Sequence, residues 1–238
     1  GLFLVVLIGM MAVFAGCSSK NVNALNGAAD GKAEGIVLTK LKTSYKKTTP
    51  MEVKYSEESQ KNIYNQIKSL KDKGNYKLDN MLAIFNPYYS NTTGLYIYFA
   101  TDESLKASYT VKVEGLNDFS QDLNSGTKSG YAKKHEYMII GLVPRVENQV
   151  KLDLKDKSGK IVGEKLFKCT PPDLRNGKVS EKLKLTRGES TAKLSRGLYT
   201  ILGRDTLKAH SDAVLIYDDF GVIRSEIPID DYRATRLL

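Results

Sequence analysis

The sequence predicts a mainly β protein in which one helix precedes a β-sandwich, and three observations carry that prediction. Beyond Asp79, apolar and polar residues alternate at period two in one segment after another. Gly, Pro, Asn and Asp turn signals separate those segments. The 238 residues are 41% hydrophobic and 26% charged, which suits a folded globular chain rather than a disordered or collagen-like one. At that length there is room for one large domain or two small ones.

The chain begins with an apolar run from Leu2 to Phe14 that only Gly9 interrupts. A helix spanning a bilayer needs about 20 apolar residues, so this shorter run reads as the core of a signal segment, residues 1–17. Phe14, Ala15, Gly16 and Cys17, followed by the polar Ser18, Ser19 and Lys20, resemble the bacterial lipobox. The resemblance implies lipidation of Cys17 and attachment through that lipid to the outer face of the bacterial cell membrane. With the lipobox unused, cleavage near Ala15 or Gly16 leaves a secreted or periplasmic protein instead.

Residues 18–50 read as a flexible basic stalk, rich at its start in Asn, Gly, Ala, Ser and Lys. Residues 18–78 hold 12 Lys against 6 acids, most of the excess behind the formal net charge of +9. Lysines at an anionic membrane surface contribute roughly 1 kcal/mol each, and a solvated tether accounts for them equally well. Only 8 of the 36 cations are arginine, so the charge does not indicate nucleic acid as a partner.

The helix falls within residues 51–78. Ile63, Ile67 and Leu70, with Tyr64 beside them, form one apolar stripe between Ser56 and Asp72. Ser56 suits the N-cap, Glu57 and Glu58 suit the positive end of the helix dipole, and Gly74 suits the C-terminal cap.

The sandwich is expected over residues 79–172. Its strands are Met81 to Phe85, Leu95 to Ala100, Tyr109 to Val113, Tyr137 to Ile140, Val150 to Lys155, and Ile161 to Phe167 behind the turn Lys157, Ser158, Gly159. Six or seven strands in roughly 90 residues is the rhythm of an immunoglobulin-like sandwich, although the chain has no tryptophan. Pro171, Pro172, Asn176 and Gly177 break the pattern. Within residues 173–238, Val179 to Leu185 and Leu198 to Leu202 read as extended. A hairpin follows, residues 214–217 and 222–227, about a turn at Asp218, Asp219, Phe220 and Gly221. An isolated hairpin is marginal in water, so it is expected to need neighbours beyond the given sequence, which reads as a fragment.

Three stretches in order carry a family resemblance: Asn86, Pro87, Tyr88 before the strand at Leu95; Gly141, Leu142, Val143, Pro144 with Asn148; and Tyr217, Asp218, Asp219, Phe220, Gly221, Val222, Ile223, Arg224. Together they resemble the bacterial aryl-sulfate sulfotransferases over roughly residues 79 to 238. The resemblance implies that the sandwich is the Ig-like N-terminal domain of that family and that the last stretch is the truncated first blade of a β-propeller. It further implies a transferase moving a sulfuryl group from a phenolic sulfate donor to a phenol acceptor through a covalent histidine located beyond Leu238. The 238 residues by themselves are then expected to be inactive, with no catalytic, cofactor-binding or metal-binding residue among them and no cofactor required. A homodimer is compatible with this reading.

The remaining residues of chemical interest read blandly. His210, Ser211 and Asp212 are adjacent and cannot form a hydrolase triad; His210 reads as a surface loop residue, with the propeller mouth as its alternative. His135, among Lys133, Lys134 and Glu136, reads as solvated. Cys169 reads as a small buried hydrophobe. The tyrosines at 88, 89, 96, 98 and 109 read as sheet packing, with a ligand platform as the alternative. Two other functions remain open from sequence: a non-catalytic surface lipoprotein whose Ig-like domain binds a partner or acts as a spacer, and a polyanion binder resting on the net charge.

Overall fold

The computed structural model describes residues 31–46, 48–174, 195–203 and 213–229. Strand β1 (Lys32–Glu34) comes first, followed by helices α1 (Met51–Lys54) and α2 (Glu57–Lys73). The sandwich strands are β2 (Leu82–Phe85), β3 (Leu95–Lys112), β4 (Phe119–Leu123), β5 (Ala132–Ile139), β6 (Asn148–Lys155) and β7 (Ile161–Thr170). Three more strands follow, β8 (Leu198–Gly203), β9 (Ala213–Asp218) and β10 (Ile223–Pro228). The fold is mainly β, as its period-two patterning requires.

The principal departure from expectation is β3. Sequence suggests two strands, at Leu95 to Ala100 and Tyr109 to Val113, but one strand of 18 residues runs through both. Its first half pairs antiparallel with β2 and β5, and its second half with β4 and β6. The register slips between Ala100 and Leu105, where β3 leaves β5. One strand therefore serves both layers, and the sheet curls over on itself at that bend. The polar Thr101, Asp102 and Glu103 resemble a turn in sequence because they lie at the outside of the bend.

The main core fills the curl. From one layer come Ala83, Phe85, Ile97, Phe99 and Ile139, and from the other Ala107, Tyr109, Val111, Val150, Leu152, Leu154 and Phe167. Leu82, Ile84 and Tyr96 point out of the opposite face and pack against Ile63 and Ile67 of α2. Strand β2 is thus buried on both sides, which is why Met81 to Phe85 is a continuous apolar run rather than an alternating one. Helix α2 has the predicted cap, with Ser56 Oγ accepting from Ser59 N at 3.3 Å and the Gly74 N–H reaching Leu70 O. Tyr64, placed beside the stripe from sequence, faces solvent.

Two further differences concern the ends. Residues 32–34, assigned by composition to the stalk, pair with Lys168–Thr170 of β7. The hairpin β9–β10 has neighbours within the chain, because β8 pairs with β9 and the sandwich abuts β10. Val179 to Leu185 lies outside the described residues.

Candidate functional site

The most heavily constrained polar site in the described residues joins the sandwich to the hairpin, and three loops build it. In the first, β2 ends at Asn86, whose φ is +41°, and Tyr89 follows with φ +63°. Non-glycine residues adopt this region only when held there. Asn86 holds the loop by accepting from Asn91 N through Oδ1 at 3.0 Å, while its own N–H donates to Gly94 O at 2.8 Å. The Asn-Pro-Tyr motif is therefore a loop former that presents Asn91, Thr92 and Thr93.

The second loop connects β5 to β6. Gly141 adopts φ +79°, and a Cβ there would lie 2.3 Å from the Phe119 ring, so only glycine fits. Asn148, fully buried, clamps the loop: Oδ1 accepts from Val143 N at 2.7 Å, while Nδ2 donates to Val143 O and Val146 O at 2.9 and 2.8 Å. The Gly-Leu-Val-Pro turn and Asn148 are thus one device that fixes the carbonyl of Gly141.

The third loop is the β9–β10 turn. Asp218 Oδ1 accepts from Phe220 N and Val222 N, both at 2.9 Å, and Gly221 supplies the positive φ the turn needs. Asp218 Oδ2 accepts from Arg224 Nε at 2.8 Å and Nη2 at 2.7 Å. The pair is almost wholly buried, Arg224 at 1% and Asp218 at 3% exposure. A guanidinium taken out of water needs its remaining donors satisfied. Nη1 donates to Gly141 O at 2.9 Å and Nη2 to Asn117 O at 3.3 Å, and the group lies over the Phe119 ring. Arg224 thus ties the hairpin to two sandwich turns.

Along the β10 edge, the Arg224 carbonyl accepts from Thr93 Oγ1 at 2.6 Å. The Glu226 carbonyl accepts from Thr92 N at 3.0 Å and Thr92 Oγ1 at 2.9 Å. Ser225 Oγ donates to Asn91 Oδ1 at 2.6 Å, and Tyr55 Oη reaches Pro228 O at 2.8 Å. All three sequence stretches that carry the family resemblance therefore meet at this one interface.

Other residues singled out from sequence lie elsewhere. Cys17 and the His210, Ser211, Asp212 run are outside the described residues. Cys169 is buried and unbridged, and burial pushes its thiol up to about 12, so it is no nucleophile at neutral pH. Of the tyrosines, Tyr96 and Tyr109 are buried, and Tyr109 Oη donates to Ile140 O at 2.9 Å, in keeping with packing. No group of three His, Cys, Asp or Glu side chains that could hold a metal occurs among the described residues.

His135 is not solvated, as its charged neighbours suggest, but fully buried. It faces inward with Tyr137 and stacks on Phe99, ring centroids 4.6 Å apart. Thr101 Oγ1 donates to Glu103 O at 2.7 Å and lies 3.0 Å from His135 Nε2. That leaves Nε2 as the donor and Nδ1 as the acceptor from Tyr137 Oη at 3.1 Å. The imidazole is neutral and its pKa is lowered by burial to about 4. With both nitrogens engaged in the core, it is unavailable for group transfer. Carrying the Tyr137 and Ile139 alternation back one step would have placed it inside.

Residues 82–171 match the family model of the arylsulfotransferase Ig-like domain. The chain carries the Ig-like domain of the arylsulfotransferase family. That span runs from the first residue of β2 to just past β7, and so contains the Asn86 loop, the bend of β3, and the Gly141–Asn148 clamp. Neither the curated proteins nor the solved structures contain a match to the chain. On the arylsulfotransferase Ig-like domain, the face that the family motifs build is the one that receives Arg224.

Proposed function

We propose that this chain supplies the Ig-like region of an aryl-sulfate sulfotransferase, which transfers a sulfuryl group from a phenolic sulfate ester to a phenol without a nucleotide donor. The match of residues 82–171 to the arylsulfotransferase Ig-like domain carries this reading. In the mechanism the family resemblance implies, a neutral imidazole nitrogen attacks sulfur. The S–O bond to the departing phenolate breaks, and the acceptor phenol then takes the group from nitrogen. Fixed cations stabilise charge on the sulfuryl oxygens throughout.

His135, buried with both nitrogens occupied, does not fill that role. We therefore assign the nucleophile to sequence outside the described residues, and to the Ig-like domain the role of a base on which the β8–β10 sheet is seated. Lipidation at Cys17 would place the enzyme on the outer membrane face, with the basic residues that follow it lying near the lipid headgroups.

The test is to express the complete reading frame and supply 4-nitrophenyl sulfate with phenol and no nucleotide sulfate. Release of 4-nitrophenol that depends on the acceptor, with phenyl sulfate as co-product, is the expected result. Failure with every aryl sulfate donor overturns the reading. Separately, Cys17→Ser should move the protein from the membrane to the soluble fraction, and unchanged fractionation would refute the anchor.

A further inference from the structure

We infer that the Ig-like domain is the folding template of the β8–β10 sheet, so that the sheet is ordered only on an already folded sandwich while the sandwich does not need the sheet. The inference concerns folding and stands apart from the transferase reading.

The asymmetry begins with the two cores. Among the described residues, the sandwich core contains 20 buried residues, whereas the cluster under the three strands contains five: Leu174, Ala213, Leu215, Tyr217 and Ile223. On those residues the three-stranded sheet buries little apolar surface of its own. Its strongest polar element also needs the sandwich. Arg224 is 1% exposed, and the surface that covers it comes from Gly141, Asn117 and Phe119, far from it in sequence. Without that cover the guanidinium returns to water and the ion pair with Asp218 becomes an exposed one, worth little.

The β10 edge completes the dependence. Strand β9 occupies one side of β10, and on the other side the carbonyls of Arg224 and Glu226, two residues apart, both accept from Thr92 and Thr93. Groups two apart on a strand point to the same side. The Thr92–Thr93 segment therefore stands where a further strand of the sheet would lie and closes the edge against other pairing. Dependence in the opposite direction is smaller: Leu198 of β8 packs against the sandwich core, but only as a partly buried residue at its margin. The sandwich contributes the Gly141 carbonyl of a turn already held by Asn148, the Asn117 carbonyl of the β3–β4 loop, and a loop fixed by Asn86; neither the Asn148 clamp nor the Asn86 bond uses a residue of β8–β10.

Hydrogen–deuterium exchange on the full chain, read over residues 213–228 and over 95–112 with 148–155, tests this directly. Arg224→Met should accelerate exchange in 213–228 by roughly a hundredfold, the effect of breaking a buried pair, and leave the sandwich peptides within about twofold. Thr93→Val, a near-isosteric change inside the sandwich, should accelerate the same hairpin peptides by roughly fivefold, as for one lost hydrogen bond. Leu152→Ala, in the sandwich core, should accelerate both regions together. The inference is overturned if Arg224→Met leaves the hairpin protected, if it opens the sandwich equally, or if Leu152→Ala opens the sandwich while the hairpin keeps its protection.

Discussion

Acidification should destabilise this protein through His135 before it reaches the carboxylates of Asp72, Asp102, Asp156 and Glu164. The imidazole is buried, neutral and hydrogen bonded at both nitrogens, with a pKa lowered from 6.5 to about 4 by burial alone. Among the described residues Tyr137 is the one ionisable side chain bonded to it, itself pushed up to about 12. Because the folded-state pKa is the lower one, the unfolded chain binds more protons between the two values, and stability rises with pH there. His135 thus contributes fully above pH 6.5, and that contribution is lost progressively as the pH falls toward 4. At about 1.4 kcal/mol per pH unit, the interval between 6.5 and about 4 sets a ceiling of about 3.5 kcal/mol. Over the two pH units from 6.5 to 4.5, about 2–3 kcal/mol of it is expected to be lost.

The measurement is urea unfolding between pH 7.5 and 4.5, followed by tyrosine fluorescence, since the chain has no tryptophan. Replacement by glutamine keeps a donor and an acceptor in the same place and removes the titration. The wild-type midpoint should fall steeply below pH 6.5, and that of His135→Gln should be nearly flat to pH 4.5. The carboxyls of Asp72, Asp102, Asp156 and Glu164 are held below their usual values by hydrogen bonds to nearby Lys and Ser side chains, so their contributions disappear only in stronger acid. An equally steep fall in His135→Gln refutes the assignment.

Three more perturbations follow from the geometry. Gly141→Ala combines a positive φ with a Cβ 2.3 Å from the Phe119 ring; a loss of about 2–4 kcal/mol is expected by urea unfolding, and a loss under 0.5 kcal/mol would show that the turn relaxes. Asn148→Ala leaves Val143 N and the carbonyls of Val143 and Val146 without their partner, which should cost about 2–3 kcal/mol in the same assay. In a Cys17→Ser background, Cys169 should resist maleimide while the protein is folded and react fully in denaturing urea, because its thiol is buried and pushed up to about 12; rapid labelling of the folded protein would contradict that burial.

What could be read from sequence was local. The α2 cap and stripe are visible because Ser56, Gly74 and the spacing of Ile63 and Ile67 determine the helix within one segment. Strand β6 is visible because every second residue packs inward, and β7 because it is joined to β6 by a turn that Asp156 and Gly159 close locally, although Ile161, Val162 and Leu166 of β7 are exposed. The single course of β3 was hidden because its bend puts polar residues outward, where a turn would also put them. His135 was hidden because two lysines and a glutamate surround it in sequence, while the partners that remove it from water, Phe99 and Thr101, lie on another strand.

Arg224 separates the two kinds of information most clearly. The motif Asp218, Asp219, Phe220, Gly221, Val222, Ile223, Arg224 reads as a generic hairpin, and its local half bears that out, with Asp218 closing the turn through Phe220 and Val222. Nothing within those seven residues says that the guanidinium is buried or that its acceptors are the carbonyls of Gly141 and Asn117. Backbone acceptors carry no side-chain identity, so a contact to them leaves no mark on the residue type at the far end. The mark that remains is conformational: Gly141 is glycine because its Cβ would strike Phe119, the ring over which Arg224 lies. The glycine of one motif and the arginine of another are therefore parts of one packing arrangement. That is the physical reason three short motifs, each weak alone, meet at a single interface between the Ig-like domain and the hairpin.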